Sequence, residues 1–316
     1  MTIPIPSTGT TVSNANVRAG AGTSFAIKVT LPGQTKVSIL GENGNWLKVN
    51  ANGIDGFIHR SLILLPTQHI LSGFLIHQPD LLELPLAPAT RLVAPPGSGS
   101  DAATAARIWN KFGGLLEPLA AKIHIDPGVS VAVTAAESGG KGFGADGRMI
   151  IRFENHVFWD LWGRNNAASF NARFKFNVSG KRWTGHLYKT GGTWKTFHGN
   201  QEAEWTVFNI ALGLNDSAAK SSISMGLPQV MGANHELIGY DSVEEMFDGF
   251  SKSENIQLIG LFDFIQGPHT VSPQVIALQQ EKYVNFAALY NGANNAAHYG
   301  AIIQGFVKGF RKLKAA

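Results

Sequence analysis

The spacing of the apolar residues changes once along this chain. That change constrains the fold more than any other feature of its 316 residues. Within residues 10–66 the pattern alternates, as in Thr35-Lys36-Val37-Ser38-Ile39-Leu40 and Trp46-Leu47-Lys48-Val49-Asn50. A period of two is the mark of a strand with one buried face. Asn43-Gly44-Asn45 and Asn52-Gly53 are turn signals, and Ile54 to His59 follows the second as a further strand. Short strands packed this densely predict a small barrel. From Asp101 the spacing becomes helical. Asp101 is a candidate N-cap, and Ala106, Trp109, Phe112, Leu115, Leu116 and Leu119 share one face. Asp126-Pro127 opens a second helix that runs to Ala136 and stops at Gly139-Gly140. Further helices fit 242–266, 273–289 and 298–313, while 141–200 is less regular. Between the two patterns, 67–100 carries Pro79, Pro85, Pro88, Pro95 and Pro96 and ends Gly97-Ser98-Gly99-Ser100. Such a run is a semi-rigid spacer, but Ile70, Leu71, Phe74, Leu75 and Ile76 make it too apolar for a free tether. The expected fold is multidomain: a small all-β barrel over 1–66, a linker over 67–100, and a mainly α-helical (α+β) domain over 101–316.

Composition removes whole classes. Hydrophobic residues make up 44% and charged ones 15%, which excludes a disordered chain or a coiled coil. The absence of cysteine excludes disulfide scaffolds, thiolate zinc sites and a cysteine nucleophile. A net charge of +4 permits an anionic polymer as partner without selecting one. No apolar run is long enough to span a membrane, and Met1 to Gly9 shows no secretory signal. The expectation is a protein made in the cytoplasm and delivered by other means. Gly142 to Gly147 fits a dinucleotide pattern but follows a helix, not a strand. His235-Glu236 begins a zinc-protease motif, yet Gly239 stands where its second histidine belongs. No cofactor and no metal-ligand set is predicted.

Glu137 is the most informative residue. It closes the apolar stretch Val129 to Ala136 and precedes Ser138-Gly139-Gly140. The negative end of a helix and apolar neighbours both disfavour an ionised carboxyl, which suits a general acid. Glu154 follows Met149 to Phe153, a candidate strand that returns beside the end of that helix. Two carboxylates across a bond are the usual equipment for glycoside hydrolysis. Glu154 fits the second role, or else a structural ion pair with Arg152. Between Arg164 and Gln201 there is no acidic residue, while Arg and Lys alternate with Trp162, Trp183 and Trp194. Sugars with anionic substituents suit that mixture, and so does nucleic acid.

Two resemblances sharpen this picture. Asn16-Val17-Arg18-Ala19-Gly20-Ala21-Gly22, Trp46-Leu47-Lys48-Val49 and Gly56-Phe57-Ile58-His59 resemble a bacterial SH3 domain. Such modules bind cell-wall peptidoglycan, which implies a wall contact for Trp46 and Phe57; filling of the barrel core is the other reading. Residues 101–316 resemble the N-acetylmuramidase family of phage endolysins, within the lysozyme-like superfamily. The carriers are Glu137-Ser138-Gly139-Gly140, Asp146-Gly147-Arg148, Ile151 to Phe158, His198 to Gln201, Glu204-Trp205, Ser224 to Gly232 and Tyr290-Asn291-Gly292. The resemblance implies that Glu137 is the acid and that Glu154 lines the site as nucleophile, base or substrate ligand. It implies substrate contacts for Ser224, Gln229, Tyr290 and Asn291, although Pro228 stands where lytic transglycosylases carry Met. The implied function is cleavage of peptidoglycan between N-acetylmuramic acid and N-acetylglucosamine, ending in bacterial lysis. A lytic transglycosylase and a non-catalytic wall-binding protein are the alternatives. The implied partner is the glycan strand, with neither nucleic acid nor membrane insertion, for a monomer that reaches the wall through a holin or a secretion system.

Overall fold

A computed structural model describes residues 7–11, 13–33, 35–64, 73–267 and 272–315. The expected boundary at 66–67, Ile70, Leu71 and the first six residues lie outside the described residues. Seven strands come first: β1 (Ser7–Thr11), β2 (Ala15–Arg18), β3 (Ile27–Leu31), β4 (Lys36–Asn43), β5 (Trp46–Ala51), β6 (Ile54–His59) and β7 (Ile63–Leu64). They form one antiparallel sheet in the order β3-β2-β6-β5-β4-β1-β7. The hairpin between β5 and β6 turns at Asn52 and Gly53, with φ of 51° and 83°. Two successive positive φ angles are what Asn-Gly tolerates best, so this turn sets the register. Alternation then sends Leu47, Val49, Ala51 and Ile58 into a core shared with Val17, Val37 and Ile39. Trp46 and Phe57 occupy the opposite parity and stay half-buried on the outer face.

The remainder is mainly helical. It comprises α1 (Pro79–Leu82), α2 (Ser100–Lys122), α3 (Pro127–Ser138), α4 (Asn155–Leu161), α5 (Ala167–Asn171), α6 (Gln201–Leu212), α7 (Asp216–Ser221), α8 (Val243–Lys252), α9 (Glu254–Gln266), α10 (Pro273–Gln279), α11 (Tyr283–Tyr290) and α12 (Ala296–Lys314). Two small sheets join it. One orders β8 (Ile151–Phe153), β12 (Ile223–Met225) and β13 (Val230–Met231) as β13-β12-β8. The other holds β9 (Phe174–Lys175), β10 (Leu187–Thr190) and β11 (Thr193–Lys195). The helix expected over 242–266 breaks at Ser253, whose Oγ accepts the Asn255 N–H at 3.1 Å and starts α9 afresh. The helix expected over 273–289 breaks at Gln280 to Lys282, where Glu281 takes a left-handed φ of 54°.

The chain divides into two compact units. One gathers 1–73, 122–126 and 265–301, and the other 74–121, 127–264 and 302–316. In the second unit the proline-rich segment is not a tether. Its available N–H and C=O groups are captured by side chains from α2 and α9. Asn110 brackets Leu92, accepting its N–H at 2.7 Å and donating to its carbonyl at 2.8 Å. The Trp109 indole donates to Thr90 O at 2.9 Å, and the Asn255 amide to Leu84 O at 2.8 Å. Prolines leave few donors, so each of these bonds counts for much of what the segment has to offer.

Asp263 is the deepest of these anchors. Its two oxygens accept the N–H groups of Leu75 at 2.6 Å and Ile76 at 2.9 Å. Burial pushes its carboxyl up to about 7, against the pull of the two donors. A pKa raised above the unfolded value of about 3.9 adds stability that is complete below that value and fades as pH climbs through 7. Asp263→Ala leaves two buried donors unmet and is expected to cost roughly 2–4 kcal/mol in denaturant unfolding. Asp263→Asn should flatten the decline of stability between pH 4 and pH 8.

Candidate active site

The site begins at the C-terminus of α3. Every residue from Gly128 to Ala135 is buried, and Glu137 emerges half-buried at the end. The stop is built by Ser138 and the two glycines. Ser138 Oγ donates to Thr134 O at 2.8 Å and accepts the Gly140 N–H at 2.9 Å. Gly139 and Gly140 have φ of 56° and 76°, and a Cβ on Gly140 would lie 2.4 Å from Ile108 Cδ1. Two cations from α2 then meet the helix end. Arg107 donates to Gly139 O at 2.9 Å, and Lys111 to Gly140 O at 3.0 Å. The negative end of α3, expected to act on Glu137, is thereby partly neutralised.

The chain then returns as expected. Ile150 N–H donates to Gly142 O at 3.0 Å, setting the entry of β8 beside the residues that follow α3. β8 is short, and its outer edge is closed by side chains instead of a strand. Gln201 accepts the Ile151 N–H at 2.9 Å and donates to the Ile151 carbonyl at 2.8 Å. Glu204 accepts the Phe153 N–H at 2.8 Å. The Trp205 indole donates to Met149 O at 3.0 Å. All three stand on the first turns of α6, so this helix docks on the strand by imitating one.

Glu154 follows β8 and carries its main-chain N–H to Ser222 O at 2.8 Å. Its Oε1 accepts Arg152 Nε at 2.8 Å. Its Oε2 faces two histidine nitrogens, His156 Nδ1 at 3.4 Å and His186 Nδ1 at 3.5 Å. Burial lowers the pKa of His156, partly offset by the Glu154 charge. Burial lowers His186 further, to about 4.

On the neighbouring strand β12, where Ser224 pairs with Arg152, Ser224 Oγ donates to Gln229 Oε1 at 2.9 Å. The Gln229 amide nitrogen donates to Gly226 O at 2.7 Å. The structure thus brings Glu154, Ser224 and Gln229 to one three-stranded sheet, with Gln229 engaged inside its own hairpin. Tyr290 and Asn291 lie in the other unit, at the end of α11. There Tyr290 stacks on Phe286, with ring centroids 5.5 Å apart.

Gln257 of α9, which sequence reasoning overlooks, is fully buried beneath the hairpin. It accepts the Leu227 N–H at 2.7 Å and donates to Phe250 O at 2.7 Å. Gly226, at φ 61°, leaves room for it: a Cβ there would lie 2.5 Å from the Gln257 amide. His186 and His198 were likewise given no role, since spacing along the chain does not announce them.

On the barrel, Trp46 packs edge-on against His59, with centroids 5.2 Å apart. With Asn16, Arg18 and Thr23 they line a cavity of about 170 Å³. Trp46 is therefore a surface aromatic and not core filling.

The comparisons with known proteins agree with this arrangement. The model of the N-acetylmuramidase family matches residues 126–311, and that of the bacterial SH3 domain matches 13–63. The crystal structure of a Burkholderia AP3 phage endolysin is similar at a TM-score of 0.50 and 26% identity. That match covers 64% of this chain and 70% of the endolysin. No curated protein matches the chain.

Gln257→Leu is expected to strand a buried donor and a buried acceptor and to cost roughly 2–4 kcal/mol, measured by denaturant unfolding. From the match over more than half its length, together with the Glu-Ser-Gly-Gly stop and the strand that returns from it, the chain belongs to the N-acetylmuramidase family.

Proposed function

We propose that this protein cleaves the β-1,4 bond between N-acetylmuramic acid and N-acetylglucosamine in peptidoglycan, with Glu137 as the proton donor. The supporting observation is the position of Glu137 at the end of a buried apolar helix, on a stop held by Ser138, Arg107 and Lys111. A donor fixed in this way can meet the glycosidic oxygen without first being ordered. Glu154 serves as the second carboxylate. Arg152 holds one of its oxygens, so the side chain is a stationary negative charge for an oxocarbenium-like transition state. Ser224 and Gln229 brace the hairpin next to it.

The cationic hairpin fits the same polymer. Lys175 and Lys189 stand over the Trp194 ring at 4.1 Å and 5.8 Å. Trp183 is 60% exposed. Aromatic faces stack on sugar rings, and the ammonium groups suit the carboxylates of peptide stems. The barrel, with Trp46 on its outer face, holds the enzyme to an insoluble substrate and raises its local concentration. The protein acts on the bacterial wall, released there by a holin or a secretion system. Among the described residues no helix is long and apolar enough to cross a membrane.

Glu137→Gln should lower the lysis rate of purified walls by roughly 10²–10⁴-fold while sedimentation with those walls persists. Wild-type lysis by that variant would remove Glu137 from its role. Mass spectrometry of the released muropeptides should show reducing N-acetylmuramic acid ends. Products lighter by one water would assign a lytic transglycosylase instead. Trp46→Ala should weaken wall sedimentation and leave cleavage of short soluble glycans unchanged.

A further inference from the structure

We propose that Glu154, His156 and His186 form a binding site for a divalent transition-metal ion of the zinc type. One ligand atom from each residue lies within 4.8 Å of the others. Glu154 Oε2 sits 3.4 Å from His156 Nδ1 and 3.5 Å from His186 Nδ1. Zinc bonds of about 2.0–2.2 Å at tetrahedral angles place neighbouring ligand atoms about 3.3–3.6 Å apart. Both distances from Glu154 Oε2 match that spacing.

The hydrogen bonding leaves two of these atoms in want of a partner. Glu154 Oε2 and His156 Nδ1 are buried, and neither has a hydrogen-bond partner. Such orphaned groups are costly unless something satisfies them. His186 Nε2 lies 3.0 Å from the Arg182 carbonyl oxygen. A carbonyl only accepts, so Nε2 carries the ring proton and Nδ1 presents its lone pair to the cluster.

A second layer orients the ligands. His198 Nδ1 lies 2.9 Å from Glu204 Oε1, and His198 Nε2 lies 2.9 Å from His186 Nδ1. With the His198 Nδ1 proton donated to the carboxylate, two ring lone pairs face each other. A proton on His198 Nε2, donated to His186 Nδ1, relieves that opposition in the empty site, and an ion bound at His186 Nδ1 would take that proton's place. A carboxylate that orients an imidazole toward an ion is the usual outer layer of a zinc centre. His198 or a water then completes the coordination. Two imidazoles with one carboxylate suit zinc and its neighbours, whereas magnesium and calcium prefer oxygen alone. The ion takes only Oε2 of Glu154, because Oε1 stays with Arg152. It would pin the lead-in of β10 to the N-terminal end of α4.

Isothermal titration of the full chain with zinc chloride, after treatment with a chelator, tests this without reference to hydrolysis. The expected result is one bound equivalent, no heat with magnesium, and a melting temperature raised by zinc and restored by chelator. Removing an outer-layer partner costs about 10–100-fold in affinity, so His156→Gln and His186→Gln should each weaken binding by at least about 100-fold. His235→Gln, outside the cluster, should bind as wild type does. His186 is fully enclosed, so half-buried His156 decides if the His186 variant does not fold, with circular dichroism confirming the fold of the His156 variant. No stoichiometric binding, or undiminished affinity in folded His156→Gln, overturns the proposal. Zinc binding intact in a Glu137→Gln variant that has lost lysis keeps the outcome for this site distinct from the outcome for the proton donor.

Discussion

The exposed edge of β8 is the constraint on which the catalytic unit turns. A three-residue strand pairs with β12 on one side and would otherwise leave its remaining N–H and C=O groups unmet inside the protein. Gln201 and Glu204 meet them from the first turn of α6, and Trp205 extends the seam to Met149. A buried backbone group without a partner is costly, so strand and helix must form together. Glu154 hangs from the end of that strand. Its position is therefore fixed by side chains some fifty positions away, as the Phe153–Glu204 separation of 51 residues shows.

The other carboxylate is held by a different device. Glu137 sits where a helix is stopped by two left-handed glycines and a serine that bonds in both directions. The loop beyond is fastened from α9. Lys111 and Glu254 pair at 2.7 Å, and the Gly142 N–H donates to the same carboxylate oxygen at 3.3 Å. Gln257, one turn along α9, carries the β12–β13 hairpin. One helix thus supports both the exit from α3 and the hairpin beside Glu154. A substitution far from any substrate can act on both, because small displacements of reacting groups are expensive in rate.

Much of this is legible in the sequence where the cause is local. The alternation in β5 and β6 and the Asn52-Gly53 turn specify the barrel hairpin without outside help. Asp126-Pro127 and Gly139-Gly140 bound α3 because proline and glycine act on their own φ angles. The family motifs mark Glu137 and Glu154 directly. What stays illegible depends on distant partners. Nothing in the proline-rich run shows that Asp263, Asn110 and Asn255 catch its backbone. Ser253 ends one helix and starts the next inside a stretch whose apolar residues resume at Ile256, so the period alone reads 242–266 as one helix. His186 stands 32 positions beyond Glu154, and only the β9–β10 pairing brings it back. Linear spacing reveals metal-ligand sets carried on one helix or one knuckle, not those assembled across a fold.

Gln229 holds a backbone angle of φ 50°, a left-handed conformation that side chains with a Cβ adopt at a penalty of about 1–2 kcal/mol. Glycine would reach that geometry freely, yet it could not supply the amide that spans Ser224 and Gly226. The hairpin is therefore a loaded spring latched by two polar contacts, and it sits beside Glu154. Any group that competes for the Gln229 amide would loosen the latch and let the turn relax, so the engagement of that amide and the shape of the hairpin are one coupled event.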